Sequence, residues 1–278
     1  MNESWTEEIR DKKRFGFGAN WSRYARVIDE PRIAEAEASL REMLEVDDLR
    51  GLTFLDAGCG SGLFSLAARN LGAKVRSFDF DRDSVATTKA LRERFRRNDD
   101  GWRVEEGSLL DADFLASLGT FDVVYCWGVL HHTGEMWRAL DNVIARVGPL
   151  GRLFISIYNK QAVWTHVHTL MKRTYVQSGP VGRTGILGAF SAFQVARCFA
   201  ADALRGRNPI ARYLDTAGRG MSVWHDWVDW VGGYPYEVAK PEEVFEAVGR
   251  QGFLLTALRT CGGHAACNQF VFRRAGAT

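Results

Sequence analysis

Three glycines at alternate positions, in a turn between a strand-like and a helical pattern, constrain this chain more than any other feature. The apolar residues 53–55 lead to Asp56, and the chain then passes through Gly58, Gly60 and Gly62 before helical spacing begins. Glycines in such a turn tolerate positive φ and let the backbone approach a ligand closely. The arrangement predicts a ligand-binding loop at the carboxyl end of a parallel strand.

A second strand-like run, residues 75–78, ends in Asp79 about twenty residues further along. An acid at this place is suited to accept hydrogen bonds from the two hydroxyls of a ribose. The glycine spacing does not match the G-x-G-x-x-G dinucleotide fingerprint, and Asp56 stands where it would repel a pyrophosphate and attract an ammonium group. The two strand ends therefore predict a nucleoside pocket that is not built for a dinucleotide.

Alternating strand and helix patterns continue on both sides of this loop. Asp29 and the proline two residues later predict the start of a helix before the first strand. Residues 148–151, with two glycines and a proline, predict a tight turn into the fifth strand. Helices are predicted at 61–70, 83–97, 111–118, 134–147 and 241–250, and strands at 53–56, 75–80, 102–106, 121–127, 153–158, 253–259 and 268–273. Such alternation predicts a parallel α/β sheet that is covered on both faces.

Composition narrows the classes of protein. The 278 residues, 46% of them hydrophobic, suffice for one full core and an accessory region. A net charge of +2 argues against a strongly basic nucleic-acid surface. Residues 1–14 are polar and charged, which is unlike a signal peptide, and no stretch is expected to reach the roughly 20 apolar residues of a membrane span.

The cysteines indicate a reducing compartment. The five cysteines are dispersed and form no C-x-x-C pair, so reduced thiols and a cytoplasmic location are expected. Cys261, His264 and Cys267 have a spacing that fits no zinc pattern, and we expect no metal.

Two motifs resemble a known family. The pattern L-D-x-G-C-G-x-G over residues 55–62 resembles motif I of the class I methyltransferases that depend on S-adenosylmethionine (SAM). Residues 129–132, V-L-H-H, resemble a segment of the ubiquinone- and menaquinone-type methyltransferases, in the methyltransferase type 11/12 group. The resemblance implies a doubly wound, seven-stranded Rossmann-like sheet with an antiparallel last strand. It also implies SAM as the cofactor, S-adenosylhomocysteine (SAH) as the product, and SN2 transfer of a methyl group.

The resemblance divides the chain into four parts. Residues 1–49 are expected to form an N-terminal arm and helix, and residues 50–159 the SAM-binding core. Residues 160–236 show no strand pattern and are expected to form a helical, aromatic insertion over the substrate side. Residues 237–278 are expected to complete the core sheet.

The resemblance also assigns cofactor roles. Asp79 is expected to hold the ribose, and Phe80 to pack on the adenine, although an ordinary strand-end acid and a core phenylalanine remain the alternatives. Trp127 fits either a cation–π contact with the sulfonium or the core, and Trp21 either a fold over the cofactor or a packing arm. The complete expected cofactor set is Trp21, Asp56, Gly58, Gly60, Gly62, Asp79, Phe80, Ser108, Leu109 and Trp127.

Candidate catalytic residues are histidines. His131 or His132 is expected to act as a general base, or else to be a structural histidine that caps the next helix, and His225 is a further candidate. The aromatic stretch 222–236 either contacts substrate or packs the insertion on the core. The expected substrate residues are Tyr158, Asn159, Trp224, Asp226, Tyr234 and Tyr236.

These expectations favour methylation of an O or N atom of a small or mid-sized metabolite, such as a sugar, a quinone-like acceptor or a secondary metabolite. No nucleic-acid partner and no membrane span are expected, and the oligomeric state is left open. Methylation of tRNA or protein and a non-catalytic SAM-binding module are the alternatives.

Overall fold

A computed structural model describes residues 3–206 and 223–276 of the chain, with side chains throughout except at residues 3–6 and 223–226. The described residues form two compact units. Residues 17–165 and 236–276 form one, which we call the sheet unit. Residues 3–16, 166–206 and 223–235 form the other, which we call the helical unit.

The sheet unit is organised around seven strands in the order β3-β2-β1-β4-β5-β7-β6. The first five strands pair in parallel, and β7 runs antiparallel to both β5 and β6. This topology confirms the predicted fold. The strands are β1 Thr53–Ala57, β2 Lys74–Asp79, β3 Trp102–Glu106, β4 Phe121–Trp127, β5 Val147–Tyr158, β6 Phe253–Arg259 and β7 Cys267–Arg274.

The helices fall into two sets, one in the sheet unit and one that makes up the helical unit. The unit of residues 3–16, 166–206 and 223–235 holds the first, ninth and tenth helices and most of the eighth. The helices of the described residues are α1 Glu3–Arg10, α2 Gly18–Ala25, α3 Glu30–Leu44, α4 Leu63–Asn70, α5 Arg82–Phe95, α6 Ala112–Ser117, α7 Met136–Ile144, α8 Ala162–Gln177, α9 Pro180–Leu204, α10 Val223–Gly232 and α11 Pro241–Gly249.

The sequence explains why these elements form. In β1 four consecutive residues, 54–57, are buried, which requires cover on both faces of the sheet. The carboxylate of Asp29 accepts a hydrogen bond from the amide of Arg32 and begins α3, with Pro31 in the first turn as predicted. Helix α7 buries residues at positions i, i+3, i+4 and i+7 against the core, namely Met136, Ala139, Leu140 and Val143, with Ile144 beside them.

The helical unit has its own apolar cluster. Its buried centre is Tyr175, Val176, Leu187 and Val231, and Trp227, Trp230, Tyr234 and Phe15 are among the side chains packed against it. The expectation that residues 160–236 contain helices and no strand is confirmed for the described part of that stretch.

One predicted turn was wrong. Residues 148–151 do not form a tight turn ahead of the fifth strand, because β5 already begins at Val147, opposite Phe121. The partner of Val123 is Arg152, so the extra residues form an irregular bulge within β5.

The predicted N-terminal arm, residues 1–49, is not one unit. The amide of Phe15 donates to the carbonyl of Tyr234 at 2.9 Å, which ties residues up to 16 to the helical unit. The amide of Gly18 donates to the carboxylate of Asp81, which ties the following residues to the sheet unit. The boundary between the units at residues 165 and 166 also lies a few residues beyond the predicted one at 159 and 160.

Helix α9 overturns a further expectation. By length and composition alone, it is long and apolar enough to cross a membrane, and within the described residues it is the helix that meets this criterion. The prediction that no stretch approaches such a length was therefore wrong.

Candidate active site

The glycine-rich loop leaves β1 in a conformation that side chains rarely adopt. Gly58, Gly60 and Gly62 all have positive φ, at 89°, 52° and 81°. The amides of Gly58 and Cys59 both donate to the carbonyl of Phe78, at 2.8 and 3.0 Å, so that the loop folds back onto the end of β2. The loop is therefore pinned at the sheet edge where the carboxyl ends of β1 and β2 meet, as the sequence predicts.

Asp79 connects the end of β2 to this loop. One carboxylate oxygen accepts the amide of Gly60 at 2.9 Å, and the other accepts the amide of Asp81 at 2.9 Å. Burial raises the pKa of Asp79 to about 6, although these two hydrogen bonds act in the opposite direction. A carboxylate offers about four acceptor positions, so it retains capacity for further hydroxyl donors.

Asp56 lies beneath the loop and is almost fully buried. Its carboxylate accepts a hydrogen bond from Ser65, Ser65 contacts Ser77 at 2.7 Å, and the indole N–H of Trp102 donates to Ser77 at 2.9 Å. Because an indole N–H only donates, the chain of donors runs from Trp102 towards Asp56. Burial raises the pKa of Asp56 to about 7, the hydrogen bond from Ser65 opposes the rise, and the charge of Asp79 adds to it. The expected contact of Asp56 with an ammonium group stays a prediction.

Helix α2 lies over the glycine loop. A Cβ placed on Gly60 would lie 3.1 Å from Cε2 of Trp21, so the indole covers the loop at that point. The amide of Gly18 donates to Asp81 at 2.7 Å, and a Cβ on Gly18 would collide with Asp83 and Asp81. The same carboxylate of Asp81 accepts the amide of Asp83 at the start of α5. No pattern in the sequence indicates that Asp81 also holds the N-terminus of α2.

The segment after β4 lies against the same loop. A Cβ on Gly58 would lie 2.5 Å from the side chain of Val129, so the residues that follow β4 pack directly on the glycine turn. Three residues on, the ring of His132 lies 5.0 Å from that of Phe17, the residue before α2. The glycine loop, the start of α2 and the histidine pair therefore form one continuous cluster within the sheet unit.

Two tyrosines complete this cluster. The rings of His131 and Tyr158 are 4.2 Å apart, those of His132 and Tyr158 are 5.7 Å apart, and Tyr236 lies 5.2 Å from Tyr158. Burial raises the pKa of Tyr236, so it remains a neutral phenol. The structure thus brings four of the predicted catalytic and substrate residues together.

The two histidines differ in their surroundings. His131 is 1% exposed, and its Nδ1 accepts the amide N–H of Tyr158 at 3.3 Å. An accepting Nδ1 places the proton of the neutral ring on Nε2, so neither nitrogen of His131 is suited to take a proton from an acceptor. His132 is only partly buried, and it is the better candidate for a base.

Glu237 holds this segment in place and was missed by the sequence reasoning. Its amide donates to the carbonyl of His131 at 2.9 Å, and its carboxylate accepts the amide of Met136, the first residue of α7, at 3.0 and 3.1 Å. A carboxylate at a helix N-terminus is stabilised by the free amides there. No local pattern in the sequence indicates this contact, because the two partners lie about a hundred residues apart.

The remaining predicted cofactor residues follow the strand ends. Phe80, Ser108 and Trp127 are partly buried after or at the ends of β2, β3 and β4. Leu109 is 5% exposed and packs in the main core, so its side chain lines the core. The side-chain oxygen of Asn159 accepts a hydrogen bond from the side-chain Nδ2 of Asn268 at 3.1 Å, next to the end of β5.

Four predicted residues belong to the helical unit. Tyr234 packs on the apolar cluster of the helical unit. Trp224, His225 and Asp226 stand at the start of α10, but their side chains lie outside the described residues, so their roles stay predictions. Among the residues that the structure describes, no cluster of histidine, cysteine or acidic side chains has the arrangement of a metal site.

A family model described as a methyltransferase domain matches residues 28–207, which is more than half of the chain. The chain belongs to the class I SAM-dependent methyltransferase family. The match covers the glycine loop, Asp79 and the histidine pair, which form the site described above.

Curated relatives of this methyltransferase are distant. A ubiquinone biosynthesis O-methyltransferase from Coxiella burnetii is 29% identical over 128 residues, which cover 46% of this chain and 52% of that protein. A ribosomal-protein methyltransferase from Methylococcus capsulatus is 34% identical over 119 residues, covering 41% of this chain and 36% of that protein. The chain thus matches about half the length of the first of these relatives.

Solved structures share the fold. A magnesium protoporphyrin IX methyltransferase from Synechocystis PCC 6803 with bound SAH aligns with a TM-score of 0.53 at 16% identity, over 87% of this chain and 83% of that one. An O-methyltransferase family protein from Burkholderia thailandensis aligns with a TM-score of 0.54 at 12% identity, over 88% and 58%. At identities this low, the two alignments show that the fold is shared.

Proposed function

We propose that this methyltransferase transfers the methyl group of SAM to an O or N atom of a small or mid-sized metabolite. The observation that carries the proposal is the continuity of the site. Val129 packs on Gly58, Trp21 on Gly60 and Phe17 on His132, so the cofactor loop and a partly buried histidine border one space. Methyl transfer requires this proximity of cofactor and acceptor.

The residues present fit the cofactor. Asp79 retains acceptor capacity for ribose hydroxyls, and the loop has positive-φ glycines where a backbone approaches a ligand. Bound SAM supplies an electrophilic methyl group on a sulfonium. The chain's own part is to hold the nucleoside at Asp79 and to exclude water with Trp21.

His132 is proposed to act as the general base. Its ring is partly exposed between Phe17 and Tyr158, where an acceptor hydroxyl or amine can reach it. His131 is proposed to be a positioning residue, because its Nδ1 and its carbonyl accept hydrogen bonds from Tyr158 and Glu237. It thereby fixes the start of the segment that carries His132.

The size of the acceptor is inferred from the lining and the charge. Aromatic rings of Phe17, Tyr158 and Tyr236 surround the histidines, which suits an organic acceptor with apolar surface. A net charge of +2 offers little attraction for a polyanion such as tRNA. The relatives in ubiquinone and protoporphyrin metabolism, named for small acceptors, agree with this proposal.

A labelling experiment tests the proposal. The chain is incubated with SAM carrying a deuterated methyl group and with a cell extract divided into small-molecule, protein and RNA fractions. We expect the label to appear in the small-molecule fraction, and the H132N variant to reduce it. Label confined to protein would instead support the second candidate, protein methylation, which the ribosomal-protein methyltransferase relative favours. SAM binding without transfer in any fraction would indicate a non-catalytic module.

A further inference from the structure

Helix α9 has apolar residues on its exposed side as well as on its packed side. The packed side carries Ile186, Leu187 and Phe190, together with Arg183 and the almost fully buried Asp202. Its exposed side chains are almost all apolar or small, and the large ones are Val181, Phe193, Val195, Phe199 and Leu204. A helix on the surface of a globular protein normally shows charged residues to water and apolar residues to the core.

Helix α9 exposes several large apolar side chains, and the preceding helix α8 exposes four more, Val163, Trp164, Val167 and Leu170. Five of the fifteen exposed large hydrophobic side chains of the described residues lie on α9, with Phe193 at 60% and Leu204 at 89% exposure. Only 6% of the most apolar window of the helix is buried. Contiguous apolar patches of this kind mark sites of protein or membrane interaction.

The charges around α9 identify the partner. Over residues 160–206 the only acid is Asp202, which is 2% exposed. Arg173, Arg197 and Arg205 in the same stretch are exposed. Along residues 160–206 the charged side chains that are exposed are thus basic, and together with the exposed apolar side chains of α9 they complement an anionic lipid headgroup layer above hydrocarbon.

We propose that α9 is a membrane-docking helix that lies in the interface of an anionic bilayer with its exposed arc inserted. Small side chains form the middle of this arc, with Phe193 on one flank and Val195 and Phe199 on the other. Twenty-five residues give the helix a length of about 37 Å, so a long apolar stripe is available.

The side of α9 that packs in the helical unit favours docking along the membrane surface and disfavours a membrane-spanning orientation. Arg183 donates to the carbonyls of Tyr175 and Val176, at 3.2 and 2.9 Å, within the helical unit. Leu187 is buried in the same cluster. A spanning orientation would break these contacts and carry Arg183 and Asp202 into hydrocarbon, which is costly.

Vesicle binding of the full chain tests the proposal. Co-sedimentation is measured with vesicles of phosphatidylcholine alone and of phosphatidylcholine mixed equally with phosphatidylglycerol. We expect the mixed vesicles to bind at least about tenfold more strongly, with the difference lost at high salt. The variant F193Q/V195Q/F199Q is expected to bind the mixed vesicles at least about tenfold more weakly, because three inserted side chains become polar.

A matched variant tests whether binding depends on the apolar side chains of α9 in particular or on exposed apolar side chains in general. F245Q/L254Q/L258Q changes three side chains of comparable exposure, 51%, 54% and 47%, on α11 and β6 of the sheet unit, and it is expected to bind like the wild type. The variant R197E/R205E leaves the apolar face intact and is expected to lose only the preference for anionic vesicles. Thermal unfolding verifies that each variant is folded.

Three results would overturn the proposal. The first is a wild type that does not bind either vesicle. The second is an F193Q/V195Q/F199Q variant that binds as the wild type does. The third is a wild-type dimer, seen by analytical ultracentrifugation, that dissociates in this variant while no vesicle binding occurs, which would assign the face to a second copy of the chain.

Discussion

The carboxylate of Asp79 accepts hydrogen bonds from two separate segments of the backbone. It holds the glycine loop through the amide of Gly60, and it begins the turn towards α5 through the amide of Asp81. A ribose bound there would meet a carboxylate that protein amides already orient, so little entropy is lost when the ribose binds. The acid is therefore expected to contribute to affinity more than its single charge suggests.

The first prediction concerns this carboxylate. Asp79→Ala is expected to weaken SAH binding by roughly 1.5–3 kcal/mol for each hydrogen bond lost between the carboxylate and the ribose. Calorimetric titration measures the affinity. Asp29→Ala is the control, because it removes a different capping carboxylate, that of α3, whose hydrogen bonds go to Arg32. Equal affinity of the Asp79 variant and the wild type would remove the ribose assignment.

The second prediction separates the two histidines. His132→Asn is expected to lower turnover by about 10²–10⁴-fold, the usual contribution of a general base, with SAH affinity unchanged. His131→Asn is expected to change the stability of the segment more than the pH profile of turnover, since its ring is buried and already accepts a hydrogen bond. His264→Asn, at an exposed position, serves as the control. A His132 variant with the pH profile and rate of the wild type would leave alignment alone to explain catalysis.

For single residues, the sequence predicts those site positions that depend only on neighbouring residues in the chain. The glycines, Asp79 and the strand-end position of the histidines follow from the strand-to-helix pattern. Which histidine can accept a proton does not follow, because it depends on the amide of Tyr158, a residue from another strand. The role of Glu237 could not be predicted for the same reason, since its hydrogen-bond partners are His131 and Met136, about a hundred residues away.

Helix α2 has the position of a cover over the cofactor loop. Trp21 lies on Gly60, Tyr24 is buried beside it with ring centroids 6.2 Å apart, and Gly18 anchors the helix start on Asp81. Anchors on two sides of the loop make α2 a part of the site and not a loose arm. This observation favours the first of the two roles that the sequence leaves open for Trp21.

The third prediction follows from this arrangement. Trp21→Ala is expected to accelerate the dissociation of SAH by about tenfold, because the loop loses its apolar cover and water reaches the ligand. Stopped-flow measurement of the dissociation rate tests this. Trp137→Ala on α7, where the indole is 40% exposed, controls for the loss of a tryptophan. An unchanged dissociation rate in the Trp21 variant would show that α2 is only a packing arm.

Elements with a strong period were predicted with small errors at their ends. Strands β3, β4 and β6 have the predicted bounds, and α3 begins at its predicted cap. The bulge in β5 was misread as a turn, because glycine and proline mark both, and only the partner strand decides between them. The division of the N-terminal arm depends on contacts of Phe15 and Lys12 with Tyr175, Gln177 and Tyr234, which are distant in sequence and which local patterns do not reveal.

A buried carboxyl beneath the cofactor loop, that of Asp56, makes the stability of the whole molecule depend on pH. The chain from Trp102 through Ser77 and Ser65 ends on Asp56, whose neighbour Asp79 is also acidic. In the unfolded chain the pKa of an aspartate is about 3.9, whereas burial raises the pKa of Asp56 to about 7 in the folded protein. Between these values the folded protein holds a proton that the unfolded chain has lost. The free energy of unfolding therefore falls as pH rises through this window.

The fourth prediction isolates that contribution. Asp56→Asn keeps an acceptor for the hydroxyl of Ser65 but cannot ionise. Between about pH 4 and pH 7 the wild type is expected to lose up to about 1.4 kcal/mol of stability per pH unit relative to this variant. Denaturant unfolding at several pH values measures the difference. Asp99→Asn is the contrasting control, since hydrogen bonds and charge from Arg69 outweigh burial and lower the pKa of Asp99, so that its stabilisation is present at neutral pH and lost as pH falls. The prediction is contradicted if the free energies of unfolding of the Asp56 variant and the wild type differ by the same amount at every pH. In that case burial does not raise the pKa of Asp56.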